Sequence, residues 1–196
     1  MEHVDWETPL DPDEMAGLRF RHITTRGQLN ELEQANIDDG MLWLAKQKSP
    51  EILTDQFVRR LHKALFGKVW SWGGTFRKTE KNVGVDPIYI SVSLRNLLDD
   101  VQYWVDHGTY QPVEAAARFH HKLVYIHPFA NGNGRHARVM TDLVLERLYN
   151  ENPLDWSGGE NLQKENTRRE RYIKALRAAD AGNYKLLFEF VGCDSS

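Results

Sequence analysis

The chain has 196 residues, enough for a single domain with a real core, and its Lys plus Arg (25) nearly balance its Asp plus Glu (28). The resulting charge of −3 excludes a general nucleic-acid coat or a polybasic membrane binder, and 41% hydrophobic residues are too many for a disordered chain. The single cysteine, Cys193, excludes an internal disulfide; the acidic start lacks the apolar stretch of a signal peptide and no run nears a membrane span, so a cytoplasmic location is expected, with no direct nucleic-acid and no membrane contact.

Residues 1–22 carry Pro9 and Pro12 with little periodicity and are expected to form an extended arm. Residues 23–50 form an N-terminal helical segment. Thr25 with Gln28 is a capping box opening a helix through Leu29, Leu32, Ile37, Met41 and Leu44, and Gly40 is its weak point. The main domain is expected over 51–196. Thr54 caps a helix with Phe57, Val58, Leu61 and Leu65 on one face, ended by Gly67. From Ser71 to Ser91 the helical period lapses. Val83, Val85, Ile88 and Ile90 favour β structure and Asp86-Pro87 sits among them, so the pattern predicts a short hairpin. Ser93 is expected to cap the next helix, through Leu94, Leu97, Leu98, Val101 and Val105, and Pro112 to start another, with Phe119, Leu123 and Ile126 inward. After a Gly-rich turn comes a helix with Val139, Met140, Leu143, Val144 and Leu148. Thr167 with Glu170 reads as a second capping box, and a last short helix holds Tyr184, Leu187, Phe188 and Val191. The fold class is all-α, a helical bundle with one small hairpin.

The chemistry concentrates in His127-Pro-Phe-Ala-Asn-Gly-Asn-Gly-Arg-His-Ala-Arg138, which joins two apolar helices. Gly132 and Gly134 permit a tight turn and close backbone approach to a ligand. The turn runs into a helix start, where free N–H groups and the positive dipole end cradle anions. Arg135 and Arg138, three apart, project from neighbouring positions and suit two phosphates of one polyphosphate. His127, across the turn, is placed to take a proton beside a bound phosphate. Asp142, four residues after Arg138, offers the blander alternative of a salt bridge. His120 and His121 read as structural, and Arg168, Arg169, Arg171, Lys174 and Arg177 as a solvated basic face.

The string HPFANGNGRHAR resembles the signature of the Fic/Doc family, His-x-Phe-x-(Asp/Glu)-Gly-Asn-Gly-Arg-x-x-Arg, at every defined position but one. Trp72-Gly-Gly-Thr-Phe-Arg77 resembles the stretch before that family's flap, and residues 172–191 resemble its closing helices. TPLDPDEMAGL and HITTRGQLNELEQANI resemble the subgroup called mobile mystery protein B. The resemblance implies a Fic fold and a protein adenylyltransferase that moves AMP from ATP to a Ser, Thr or Tyr hydroxyl of a target protein. It implies His127 as general base and Phe129 as buried anchor of the turn. Gly132, Asn133 and Gly134 become the anion hole, Arg135 the β-phosphate ligand and Arg138 the γ-phosphate ligand. Val83, Gly84, Val85, Ile88, Tyr89 and Ile90 become the flap that lays the target beside His127 by strand addition.

The family has Asp or Glu where this chain has Asn131, a carboxylate that helps hold Mg²⁺; an amide oxygen ligates Mg²⁺ without charge. The family also implies self-inhibition, with Glu33 the matching carboxylate, expected to reach Arg138, and Glu31 the fallback. The alternatives are phosphotransfer or AMP removal on the same scaffold, or a catalytically weak nucleotide- or partner-binding module. The subgroup further implies a companion DNA-binding, antitoxin-like protein.

Overall fold

A computed structural model describes residues 12–20, 22–23, 25–156 and 166–192. The expected arm therefore lies outside the described residues over 1–11 and 21, as does Cys193. Its described part is docked. α1 (Pro12–Met15) is one helical turn, after which Arg19 N–H donates to Val69 O and Ser71 N–H to Gly17 O, with Leu18 bridging Trp70.

α2 (Arg26–Ala45) opens with the capping box on Thr25 and Gln28. Gly40 is less a weak point than a contact: a Cβ there would lie 2.9 Å from Leu65 Cα on α3 (Asp55–Phe66), so its absence lets the two helices touch. Asn36 locks the pairing, donating to Ala64 O and accepting from Lys68 N–H. Thr54 caps α3, whose Phe57, Val58, Leu61 and Leu65 are buried.

The predicted hairpin is absent: no strand occurs among the described residues. Asp86-Pro87 is a helix start instead. Asp86 accepts from Ile88 N–H, and Pro87 opens a 3₁₀ turn over Pro87–Tyr89 that runs straight into α4 (Ile90–His107). The helix thus begins at Ile90, three residues before the expected cap Ser93. The apolar spacing of Ile90, Leu94, Leu97, Leu98 and Val101, all buried, is helical.

α5 (Pro112–Ile126) starts at its proline as expected, and α6 spans Asn133–Val144. Beyond α6 the helix widens into a π turn over Leu145–Tyr149, closed by Asn150 in the left-handed region. α7 (Thr167–Asp180) is capped by Asn166 rather than by Thr167, and α8 is Lys185–Val191. The main core lies among α3 to α6. A second, smaller one packs α7 and α8 on α5 through Ala117, Trp156, Tyr172 and Leu187. The turn between α5 and α6 lies beside both.

Candidate active site

The turn is clamped from within. His127 closes α5 in the left-handed region (φ 52°), its N–H donating to Leu123 O. Phe129 is fully buried. Asn133 holds it reciprocally: Phe129 N–H donates to Asn133 Oδ1 at 2.9 Å and Asn133 Nδ2 donates to Phe129 O at 2.8 Å. His62 stacks on Phe129 at 3.6 Å between ring centroids. Its Nδ1 accepts from Gly74 N–H, so its Nε2–H donates to Asn131 O, and burial holds the ring neutral. Gly132 has φ 77° and would drive a Cβ into the Phe66 ring at 2.6 Å, so only glycine fits. The N–H groups of Asn133, Gly134 and Arg135 precede the first bond of α6, from His136 N–H to Gly132 O. Without partners inside the helix, these three could hold an anion, whereas the Asn133 side chain is committed to the turn.

Around His127 the flanking loop closes tightly. Arg77 Nε donates to His127 O at 2.7 Å, and its other nitrogens donate to Thr79 O and Val85 O. Gly84 (φ 102°) packs so close that a Cβ would lie 2.6 Å from His127 Cβ. Burial, then the charges of Arg77 and Lys81, push the His127 pKa down to about 4, against a hydrogen bond to the Val124 backbone. The imidazole is therefore unprotonated at neutral pH and able to accept a proton. Lys81 itself is buried against Glu14 of α1, which ties the N-terminal segment to this loop.

The two arginines meet different partners. Arg135 lies over Phe66 and pairs with Glu33 at 2.6 Å, while Glu33 also accepts from Trp70 Nε1 at 2.7 Å. Glu33 is 5% exposed. The expected contact of Glu33 with Arg138 is thus corrected: α2 carries the carboxylate to the first arginine of the motif. Glu31 is exposed. Arg138 instead lies against Tyr172 of α7, its guanidinium carbon 5.9 Å from the ring centroid. Asp142 does not take the salt-bridge role. It accepts from Trp156 Nε1 and Leu154 N–H, and burial pushes its pKa up to about 6.

Of the residues expected in the flap, Val83, Ile88 and Tyr89 are exposed apolar groups, as is Val92. Ile90 is fully buried at the start of α4 and cannot touch a target. His62, Arg77 as the loop staple, and Tyr172 were not marked as site residues by the sequence. His120 and His121 do bond to side chains of α7, Tyr172 and Asp180, and to Tyr184 just before α8. Arg168 of the basic face is partly structural, stacked 4.1 Å from the Phe190 ring.

Residues 52–145 match the family model described as Fic/DOC family. A protein adenylyltransferase, fic-1 of Caenorhabditis elegans, is 29% identical over 156 residues, covering 76% of this chain and 28% of the relative. The protein adenylyltransferase Fic of Aedes aegypti is 28% identical over 72% of this chain and 27% of its own length. This chain therefore spans under a third of the curated relatives it matches. Among solved structures, the N-terminal FIC domain of Bep8 from Bartonella sp. 1-1C superposes with a TM-score of 0.71 at 17% identity, over 90% of this chain and 88% of that one. BepC from Bartonella tribocorum, solved with bound AMPPNP, gives 0.69 at 16% identity, over 92% and 96%.

Proposed function

We propose that the Fic/DOC family domain carried by this chain is a protein adenylyltransferase. The observation that carries the reading is a neutral imidazole, His127, at the mouth of a helix-start anion turn whose first helix bears Arg135 and Arg138. The polyphosphate of ATP lies on the N–H groups of residues 133–135, with the β-phosphate at Arg135 and the γ-phosphate at Arg138. A target hydroxyl gives its proton to His127 as its oxygen bonds the α-phosphorus. The bond from the α-phosphorus to the bridging oxygen breaks, pyrophosphate leaves, and AMP stays on the target. The exposed Val83, Ile88 and Tyr89, with Gly84 and Val85, line the approach for the target segment.

Magnesium enters as part of the MgATP substrate. Asn131 is the one ligand the motif offers; it is neutral, and its Oδ1 accepts from Gly132 N–H. These residues do not fit a resident cation, and the transfer does not depend on one.

Glu33 restrains the site: with it in place, the fork that the β-phosphate needs is filled by a carboxylate. The sequence of residues 8–18 and 22–37 supports the mobile mystery B subgroup, and with it a bacterial, cytoplasmic setting and a companion antitoxin-like protein. No helix among the described residues is long and apolar enough to cross a membrane.

The test is incubation of the protein and a cell lysate with ATP labelled at the α- or the γ-phosphate. Label from the α position on protein bands is expected, lost by about 10²–10⁴-fold in His127→Ala with nucleotide binding retained. Activity should hold on acidification until the neighbourhood of pH 4, below which His127 is protonated. Transfer of γ-label alone would replace this reading with phosphotransfer. Nucleotide binding with no transfer would leave a binding module.

A further inference from the structure

Tyr172 and Arg138 meet at the edge of the anion turn. The Tyr172 hydroxyl and Arg138 Nη1 lie 3.8 and 3.7 Å from the point where a Cβ on Gly134 would stand. The guanidinium carbon of Arg138 lies 5.9 Å from the Tyr172 ring centroid. A guanidinium has only donors, so toward Arg138 the phenol oxygen can act only as acceptor, and the two groups interact favourably. The phenol's own proton points to His120 Nε2, 2.8 Å away. That makes Nε2 an acceptor and puts the imidazole proton on Nδ1. Nδ1 faces Thr141 Oγ1 at 3.3 Å, and the Thr141 hydroxyl donates to Ala137 O at 2.7 Å. Each link has one donor and one acceptor, so the chain has a single polarity, running from Arg138 to the backbone of α6. Its members come from α5, α6 and α7. His120 and Thr141 are fully buried, and burial keeps the imidazole neutral, with a pKa of about 3.

We propose that Tyr172, oriented by His120 and Thr141, is a positioning residue that aims Arg138 at the terminal phosphate of the nucleotide through a neutral acceptor. A carboxylate would hold the guanidinium as firmly but would offset its charge and compete with the phosphate. The phenol fixes direction and leaves the charge for the ligand. Asp142, the nearest acid along the helix, is kept out by its bonds to Trp156 and Leu154. The inference rests on the reading above in taking ATP as the nucleotide and Arg138 as the ligand of its terminal phosphate.

The experiment is calorimetric titration of the full chain with ATP, ADP and AMP, for the wild type, Tyr172→Phe, His120→Asn, His120→Gln and the double variant Tyr172→Phe/His120→Asn. Tyr172→Phe keeps the ring and should weaken ATP about tenfold, the scale of one hydrogen bond to a charged group, with ADP and AMP changed less than about twofold. In turnover the KM for ATP should rise by the same factor with kcat unchanged. His120→Asn, too short to reach the phenol, should reproduce the loss, and His120→Gln, which offers an amide oxygen near the Nε2 position, should recover it. In the double variant the asparagine should add nothing, because His120 acts through Tyr172. Equal weakening of all three nucleotides, or an unchanged ATP affinity, overturns the proposal. If Tyr172→Phe does not fold, the His120 pair decides alone. A wild type with no preference for ATP over ADP overturns both the phosphate assignment and the proposal, and that failure shows before any variant is made.

Discussion

Arg135 and Arg138 stand one turn apart on α6 and occupy opposite electrostatic settings. Arg135 is closed on Glu33, a buried carboxylate that also takes the Trp70 indole N–H. Arg138 faces the Tyr172 phenol. A phosphate approaching Arg135 must displace a charged partner from a 2.6 Å contact, whereas one approaching Arg138 displaces no carboxylate from it. The first arginine is therefore switchable and the second standing. Their spacing along the helix sets which way they project. Their partners come from α2 and α7, distant in sequence, and it is the partners that set the difference.

The largest expected effect falls on stability. Arg135→Ala leaves Glu33 buried with Trp70 as its remaining partner, and stranding one member of such a pair costs about 3–5 kcal/mol. Adding Glu33→Gln should recover most of the loss in urea midpoint. Arg138→Ala strands only a phenol that keeps His120, at under about 2 kcal/mol. Equal losses for the two arginines would break the comparison. Activity should separate them the other way. Arg138→Ala lowers AMP transfer by about 10²-fold, the cost of one preorganised phosphate-stabilising group, while its melting curve stays close to the wild type's.

Glu33→Gly comes next. It frees Arg135 and should raise auto-labelling about tenfold, within the usual range of a coupling between two sites. Glu31→Gly is the control, because Glu31 is exposed on the same helix. Activation by the control and not by Glu33→Gly would move the restraint by two residues. Activation by neither would make the Glu33–Arg135 pair structural.

Much of this was legible in the sequence. Thr25, Thr54 and Pro112 announce their helices because a cap or a first-turn proline acts within a few residues of itself. The turn between α5 and α6 was legible for the same reason: its glycines, histidine and arginines lie within one short segment. The hairpin pattern misleads because the β-branched residues at 83–90 favour strand by type, while Ile90 belongs to the helical period that follows it. The sequence points to Glu33 but not to its partner, which lies one turn of α6 from the expected one, since only packing decides which arginine α2 reaches. His62 escaped notice: it bonds Asn131 O, 69 residues away, and on α3 it looks like any histidine on an apolar face. Tyr172 escaped likewise, 52 residues from His120, as one aromatic among several in a closing helix.

The smallest predicted effect probes the turn that both arginines share. Asn131→Asp places a carboxylate just before the start of α6, where Asn131 Oδ1 already accepts from Gly132 N–H. The charged oxygen should strengthen that bond and complement the helix dipole, a gain of about 0.3–1 kcal/mol in stability. The second carboxylate oxygen is then available to a cation carried by the nucleotide, and a charged ligand binds a hard cation better than an amide does. The concentration of Mg²⁺ giving half-maximal labelling should fall a few-fold, with a modest rise in rate. The same charge also stands near Arg135, so in the Glu33→Gly background it should take back part of the freed activity when Mg²⁺ is scarce and none when it is abundant. An unchanged Mg²⁺ dependence would mean that position 131 only shapes the turn. The difference between Arg135 and Arg138 would then rest on Glu33 and Tyr172 alone.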